Sequence, residues 1–138
     1  MSHIRSVKIT TLADNVVGMG GFLGQWGLSF LIEVEVGRNT VHQIIFDTGA
    51  VKEALFHNVK QLKLDLSRVE SIVLSHGHAD HTSSTVEIMK RASGNVRVIV
   101  HPNIFLPKFI ISKNGQRKEG GLPKGERIED IKKYGAKK

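Results

Sequence analysis

The sequence predicts an α/β fold with a mixed sheet, and three observations carry that prediction. From Leu28 to Val36 the residues alternate with a period of two, and after Gly37-Arg38-Asn39 a second extended run, Val41 to Asp47, returns as its hairpin partner. A short apolar run, Ile72-Val73-Leu74, reads as a buried strand. It lies between two stretches of helical spacing, Lys52 to Leu62 and Thr82 to Ala92. Strands first, then strands alternating with helices, is the order of an α/β domain with mixed pairing.

Taken in order, Val7 to Leu12 reads as the first strand, followed by a turn rich in glycine (Gly18, Gly20, Gly21 and Gly24). In the next run Leu28, Phe30, Ile32, Val34 and Val36 form one fully apolar face. The helix over 52–62 places Ala54, Leu55, Val59 and Leu62 inward, and a strand covers Ser71 to Ser75. The helix over 82–92 has Thr82, Ser83 or Ser84 as its N-cap and turns Val86, Ile88 and Met89 to the core. Val96, Val98 and Val100 mark a further strand ending at His101-Pro102. Asn114-Gly115, between Phe109-Ile110-Ile111 and a polar arm, signals a hairpin. A last short helix spans Glu126 to Tyr134, with Ile128 and Ile131 on one face. No internal repeat, low-complexity tract or linker interrupts residues 1–138, which read as a single domain.

Composition narrows the chemistry. The chain has no cysteine, which excludes disulfides and thiolate metal sites, so any ion must be held by imidazole and carboxylate. The absence of cysteine, and of an apolar leader between Met1 and Asn15, makes a cytoplasmic protein the simplest expectation. The most apolar stretch, Val16 to Val36, contains Gln25, Glu33, Glu35 and five glycines and is not a membrane span. The net charge is +7, with ten of the basic residues after residue 107. These read first as a solvated basic face, and second as a surface for an anionic substrate or partner. Only Phe109 and Tyr134 fall among them, too few for a run of stacked bases, which speaks against nucleic acid.

The strongest signal is His76-Gly77-His78-Ala79-Asp80-His81: three of the seven histidines, with an aspartate, in six residues. The motif follows a buried strand and precedes a helix, where α/β folds commonly place ligands. Residues two apart in an extended segment point the same way, so His76 and His78 can hold one ion together. Asp80 and His81, where the chain turns into the helix, can face a second position nearby. A purely structural cluster would crowd imidazoles at a helix N-terminus, whose partial positive charge disfavours their protonation. Metal binding explains why neutral imidazoles and a carboxylate converge there.

The pattern His76-x-His78-x-Asp80-His81 resembles the signature of the metallo-β-lactamase superfamily, and Ile44-Ile45-Phe46-Asp47-Thr48-Gly49 is similar to its earlier aspartate motif. Gly27-Leu28-Ser29-Phe30-Leu31-Ile32-Glu33 and Leu74-Ser75-His76-Gly77-His78 extend the resemblance to one branch, that of metal-dependent hydrolases and dihydropterin ribofuranosyl-aminobenzene phosphate synthases. The resemblance implies the N-terminal half of an αββα sandwich. It implies two divalent ions, zinc by default with manganese, iron or nickel also fitting. His76 and His78 would ligate the first ion, and Asp80 and His81 the second. Asp47 would orient a ligand histidine from the second shell. Ions roughly 3.5–4 Å apart would share a hydroxide, which Asp80 would tune as the catalytic proton acceptor. The substrate implied is a pterin-related or phosphorylated small molecule, and a phosphodiesterase or nuclease of the same superfamily is the alternative.

Other residues depart from the pattern. The superfamily expects a third histidine for the first metal, a bridging aspartate and a late histidine for the second, all well downstream. After His81 the sequence has one histidine, His101, expected to line the pocket or serve structure rather than supply the missing ligand. His3, His42 and His57 match no ligand position, and Ser83-Ser84 stands where the branch often has glycines. The domain therefore reads as truncated, breaking at Gly135-Ala136-Lys137-Lys138 where another core strand is expected. Three explanations follow: a fragment of a longer product, one half of a split enzyme completed by a second chain, or a homo-oligomer covering an open sheet.

Overall fold

The computed structural model describes residues 3–134, so the expected break at Gly135 to Lys138 lies outside the described residues. The strands are β1 (Ile4–Ala13), β2 (Ser29–Val36), β3 (Thr40–Phe46), β4 (Val69–Val73), β5 (Arg97–Ile99), β6 (Phe109–Ile111) and β7 (Arg117–Glu119). The helices are α1 (Lys52–Gln61), α2 (Ala79–Thr82), α3 (Thr85–Arg91) and α4 (Ile128–Lys133), with a 3-10 turn at Pro102–Phe105. One sheet runs β1-β2-β3-β4-β5, antiparallel across its first two pairings and parallel across its last two. The mixed pairing expected from sequence is present, because hairpins join the early strands and helices cross over between the later ones.

The core lies on one face of this sheet. Leu31, Ile45 and Ile72 line up across β2, β3 and β4 with no exposure at all. Leu55 and Val59 of α1, and Val86, Ile88 and Met89 of α3, belong to the same buried cluster. Burying side chains of this size contributes about 1.5–3 kcal/mol each. The opposite face is apolar too, but open. Val7 and Val34 pair across it, as do Ile9 with Ile32 and Phe30 with Phe46. Val7 and Ile9 are 53% and 62% exposed, and Phe30, Ile32, Val34 and Phe46 are only half buried. The all-apolar face read from β2 is thus the less covered one, while Ser29 and Leu31 on the other side are buried.

Two elements differ from expectation. The helix expected over 82–92 is two pieces, α2 and α3, broken at Ser83-Ser84. The backbone N–H groups there turn to the Asp47-Thr48-Gly49 segment: Ser83 donates to the Gly49 carbonyl at 3.2 Å and Ser84 to Thr48 Oγ1 at 3.2 Å. The three proposed N-cap side chains do not cap α3; Ser84 occupies that position with no side-chain bond. The 3-10 turn was not legible as such, though Pro102 at its first turn is the residue that favours it. The hairpin at Asn114-Gly115 forms, with Phe109 opposite Glu119 and Ile111 opposite Arg117. Among the described residues no helix is long and apolar enough to cross a membrane.

Candidate metal centre

Two sheet strands deliver the candidate residues to one edge. Parallel strands β3 and β4 end side by side, so Asp47, just after β3, comes beside Ser75 and His76, just after β4. Asp47 is 1% exposed and sits in the left-handed backbone region at φ 55°, a conformation costly for a residue with a Cβ. Its surroundings hold it there: its N–H donates to the Val73 carbonyl at 2.9 Å, and its own carbonyl accepts the Ser29 hydroxyl at 2.8 Å.

The Asp47 carboxylate is the hub of the site. Oδ1 accepts the Ser75 backbone N–H at 2.7 Å, and Oδ2 accepts the Ser75 hydroxyl at 2.7 Å. Oδ2 also accepts His81 Nδ1–H at 2.8 Å. Because the Ser75 hydroxyl spends its proton on Asp47, it receives one from His76 Nδ1, 2.8 Å away. Both rings are thereby held with Nδ1 protonated and Nε2 free, the state a ligand histidine needs. Ser75 lies within the Leu74-Ser75-His76-Gly77-His78 stretch noted in the sequence, but nothing there marks its hydroxyl as the link between Asp47 and His76.

The free nitrogens meet their neighbours in pairs. His76 Nε2 lies 3.1 Å from His78 Nδ1, and His81 Nε2 lies 3.5 Å from Asp80 Oδ2. Two donors sharing a tetrahedral ion at 2.0–2.1 Å stand ~3.3 Å apart. Each pair therefore has the spacing of one edge of a coordination shell, and the His76 and His81 rings lie 4.2 Å apart between centroids, tilted by 50°. Among the described residues no three histidine, aspartate or glutamate side chains are arranged to hold one ion together. Burial above all, then the His81 and His78 rings, hold the His76 imidazole below its usual pKa, against the pull of Asp47 and Asp80. The donors are all imidazole or carboxylate, a set that suits a divalent transition ion.

Two glycines allow this packing. Gly27 sits at φ +93°, and a Cβ there would meet the Asp80 carbonyl at 1.8 Å. At Gly77 a Cβ would meet the Ile104 carbonyl at 2.5 Å and Lys108 Nζ at 2.9 Å. Lys108 in turn donates to the carbonyls of Asn103, Ile104 and Leu106, tying off the 3-10 turn beneath the His76–His78 loop. His101 follows β5, just before the 3-10 turn, but its Nδ1 is engaged by the Asn103 N–H at 3.2 Å and the ring is exposed. His42 bonds Glu70 and His57 bonds the Gly21 carbonyl.

The family model of the metallo-beta-lactamase superfamily matches residues 27–136. The chain belongs to the metallo-beta-lactamase superfamily. Its described residues form a five-stranded mixed sheet with helices packed against it. It is 38% identical over 110 residues to the 7,8-dihydropterin-6-methyl-4-(beta-D-ribofuranosyl)-aminobenzene-5'-phosphate synthase of Methanocaldococcus jannaschii, covering 79% of this chain and 37% of that protein. Over 62 residues it is 39% identical to a metal-dependent hydrolase of Bacillus licheniformis, covering 45% of this chain and 24% of the hydrolase. Among solved structures it is similar to a subclass B3 metallo-beta-lactamase of Bradyrhizobium japonicum, at 23% identity and TM-score 0.40 over 64% of this chain and 31% of that one. The matches span between about a quarter and little more than a third of the length of these curated relatives.

Proposed function

We propose that this superfamily member is a metal-dependent, hydrolase-like enzyme, or enzyme half, whose reaction centre is built on His76, His78, Asp80 and His81. The observation that carries the reading is the pairing of donor atoms at 3.1 and 3.5 Å around one buried carboxylate. In this reading His76 and His78 hold one divalent ion, Asp80 and His81 a second, with zinc as the default. When bound, such ions supply Lewis acidity and make a water acidic enough to act as a nucleophile near neutral pH. The chain's own contribution is orientation. Asp47 fixes the His81 ring directly and the His76 ring through Ser75, and Asp80 stands where it can accept a proton from the nucleophile.

The substrate class is an anionic small molecule, phosphorylated or pterin-related, as the similarity to the phosphate synthase suggests. The remaining ligands and the cover of the open sheet face come from a continuation of this polypeptide, from a second chain or from a second copy. The test is metal analysis after loading with zinc, manganese, iron or nickel, followed by assay on phosphomonoesters and phosphodiesters. The expected result is retained transition metal in the parent chain, and its loss in His76→Ala and Asp80→Ala. Equal metal content in all three would end this reading.

A further inference from the structure

A cavity of about 720 Å³ opens beside the candidate metal centre, with His78 and Asp80 in its wall. The remainder of its lining comes from far along the chain, including Lys118 of β7, Lys124 and Arg127, and from Trp26 on the glycine-rich side. Lys118 and Lys124 are exposed and, among the described residues, neither makes an ion pair. Arg127 is only loosely engaged, 3.9 Å from Glu119, which also lines the cavity. Three cations against two carboxylates in the lining, Glu119 and Asp80, leave the cavity net positive with the excess on the side away from Asp80, and a cleft focuses such a field.

Trp26 is 72% exposed, an unusual position for the chain's one tryptophan. Its placement is not loose. Gln25 before it accepts the N–H groups of Ala50 and Val51, and Gly27 after it is pressed against the Asp80 carbonyl. The backbone on either side of Trp26 is thus fixed, and the exposed indole lines the same cavity with a face free for a flat ring.

We propose that this cleft is a substrate-binding site for a small molecule with a phosphate at one end and a planar ring at the other. The phosphate sits on Lys118 and Lys124, and the ring lies against Trp26. The inference deepens the proposed function, since it assumes that chemistry occurs at the His78 and Asp80 side of the same cavity. It assigns a role to the basic residues that sequence alone read first as a solvated face.

The single tryptophan makes the test direct, because its fluorescence reports on this site alone. The metal-loaded chain is titrated with guanosine 5'-monophosphate, guanosine and inorganic phosphate as probes, with metal content measured on the same samples. The expected result is saturable quenching by the nucleotide, at least tenfold weaker binding of guanosine, and inhibition of nucleotide binding by inorganic phosphate. In Lys118→Gln/Lys124→Gln the preference for the nucleotide disappears while metal content and far-ultraviolet circular dichroism are unchanged. No quenching by the nucleotide, or an undiminished preference in the double variant, overturns the proposal. Quenching as expected in a chain that holds no metal supports the cleft and counts against the reaction centre instead, so the two readings fail separately.

Discussion

Ser75 shares its hydroxyl between Asp47 and His76, and this makes it the most informative residue to change. Ser75→Ala removes the link that sets the His76 ring while keeping the backbone N–H to Asp47. Metal affinity is expected to fall about 10–100-fold, as for other groups that orient ligands, with Ser75→Thr close to the parent. Competition with a chromophoric chelator measures it, and an unchanged affinity in Ser75→Ala would show that the ring needs no such hold. Gly27 is the second residue of this kind. Both its positive φ and the 1.8 Å approach to the Asp80 carbonyl forbid a side chain. Gly27→Ala is expected to cost about 2–4 kcal/mol in urea unfolding. Gly18→Ala, where a Cβ would meet nothing within 4 Å, is the matched control and is expected to stay within about 0.5 kcal/mol of the parent.

At the scale of elements, α4 is joined to α3 by an unusual tie. Glu126, just before α4, is buried and accepts the Val86 N–H in the first turn of α3 at 2.9 Å. Burial is the main cause that raises its pKa to about 7, with Asp130 and Glu87 adding to the rise and the Val86 N–H and Lys90 opposing it. The folded state therefore prefers the protonated acid. Below the unfolded-state pKa near 4.5 the residue is neutral in both states, and stability is lost as pH rises from there toward 7. The loss is on the order of 2 kcal/mol. Glu126→Gln keeps an oxygen for the Val86 N–H, and its urea midpoint is expected to vary less between pH 5 and 7.5 than that of the parent. Parallel curves for the two proteins would remove the carboxyl group as the cause. The break between α2 and α3 belongs to this scale as well. Helical spacing alone runs through Ser83-Ser84, where Thr48 takes the Ser84 N–H and Gly49 shares the Ser83 N–H with the Ala79 carbonyl.

For the whole molecule the open sheet face dominates behaviour in solution. Val7, Ile9, Phe30, Ile32, Val34 and Phe46 form a contiguous apolar surface of the kind that marks an interaction site. The chain is expected to bind an apolar dye such as ANS and to associate as concentration rises, seen by light scattering. Ile9→Lys, on the exposed edge strand, is expected to reduce both without lowering the unfolding midpoint by more than about 0.5 kcal/mol. A monodisperse monomer with no dye binding would mean the face is covered by some other route.

The sequence by itself determined the order of strands and helices, the mixed pairing and the six-residue His76–His81 motif. Each of these is a local pattern, in which period, turn residues and ligand spacing are visible within about ten residues. It also marked Asp47, through its own local Asp-Thr-Gly setting. Tertiary structure alone decided which face of β2 is covered, since both of its faces carry apolar residues and burial depends on what packs there. It alone joined Ser75 to Asp47, Gly27 to Asp80, Lys108 to the space under Gly77 and the basic arm to the motif's cavity. Those contacts link residues some thirty or more positions apart, and close approach of backbones at that separation leaves no periodic trace in the chain. The His76–His81 motif thus acquires its geometry, two donor pairs around the buried Asp47 carboxylate, with the help of Ser75 and Gly27, contacts that no spacing rule selects.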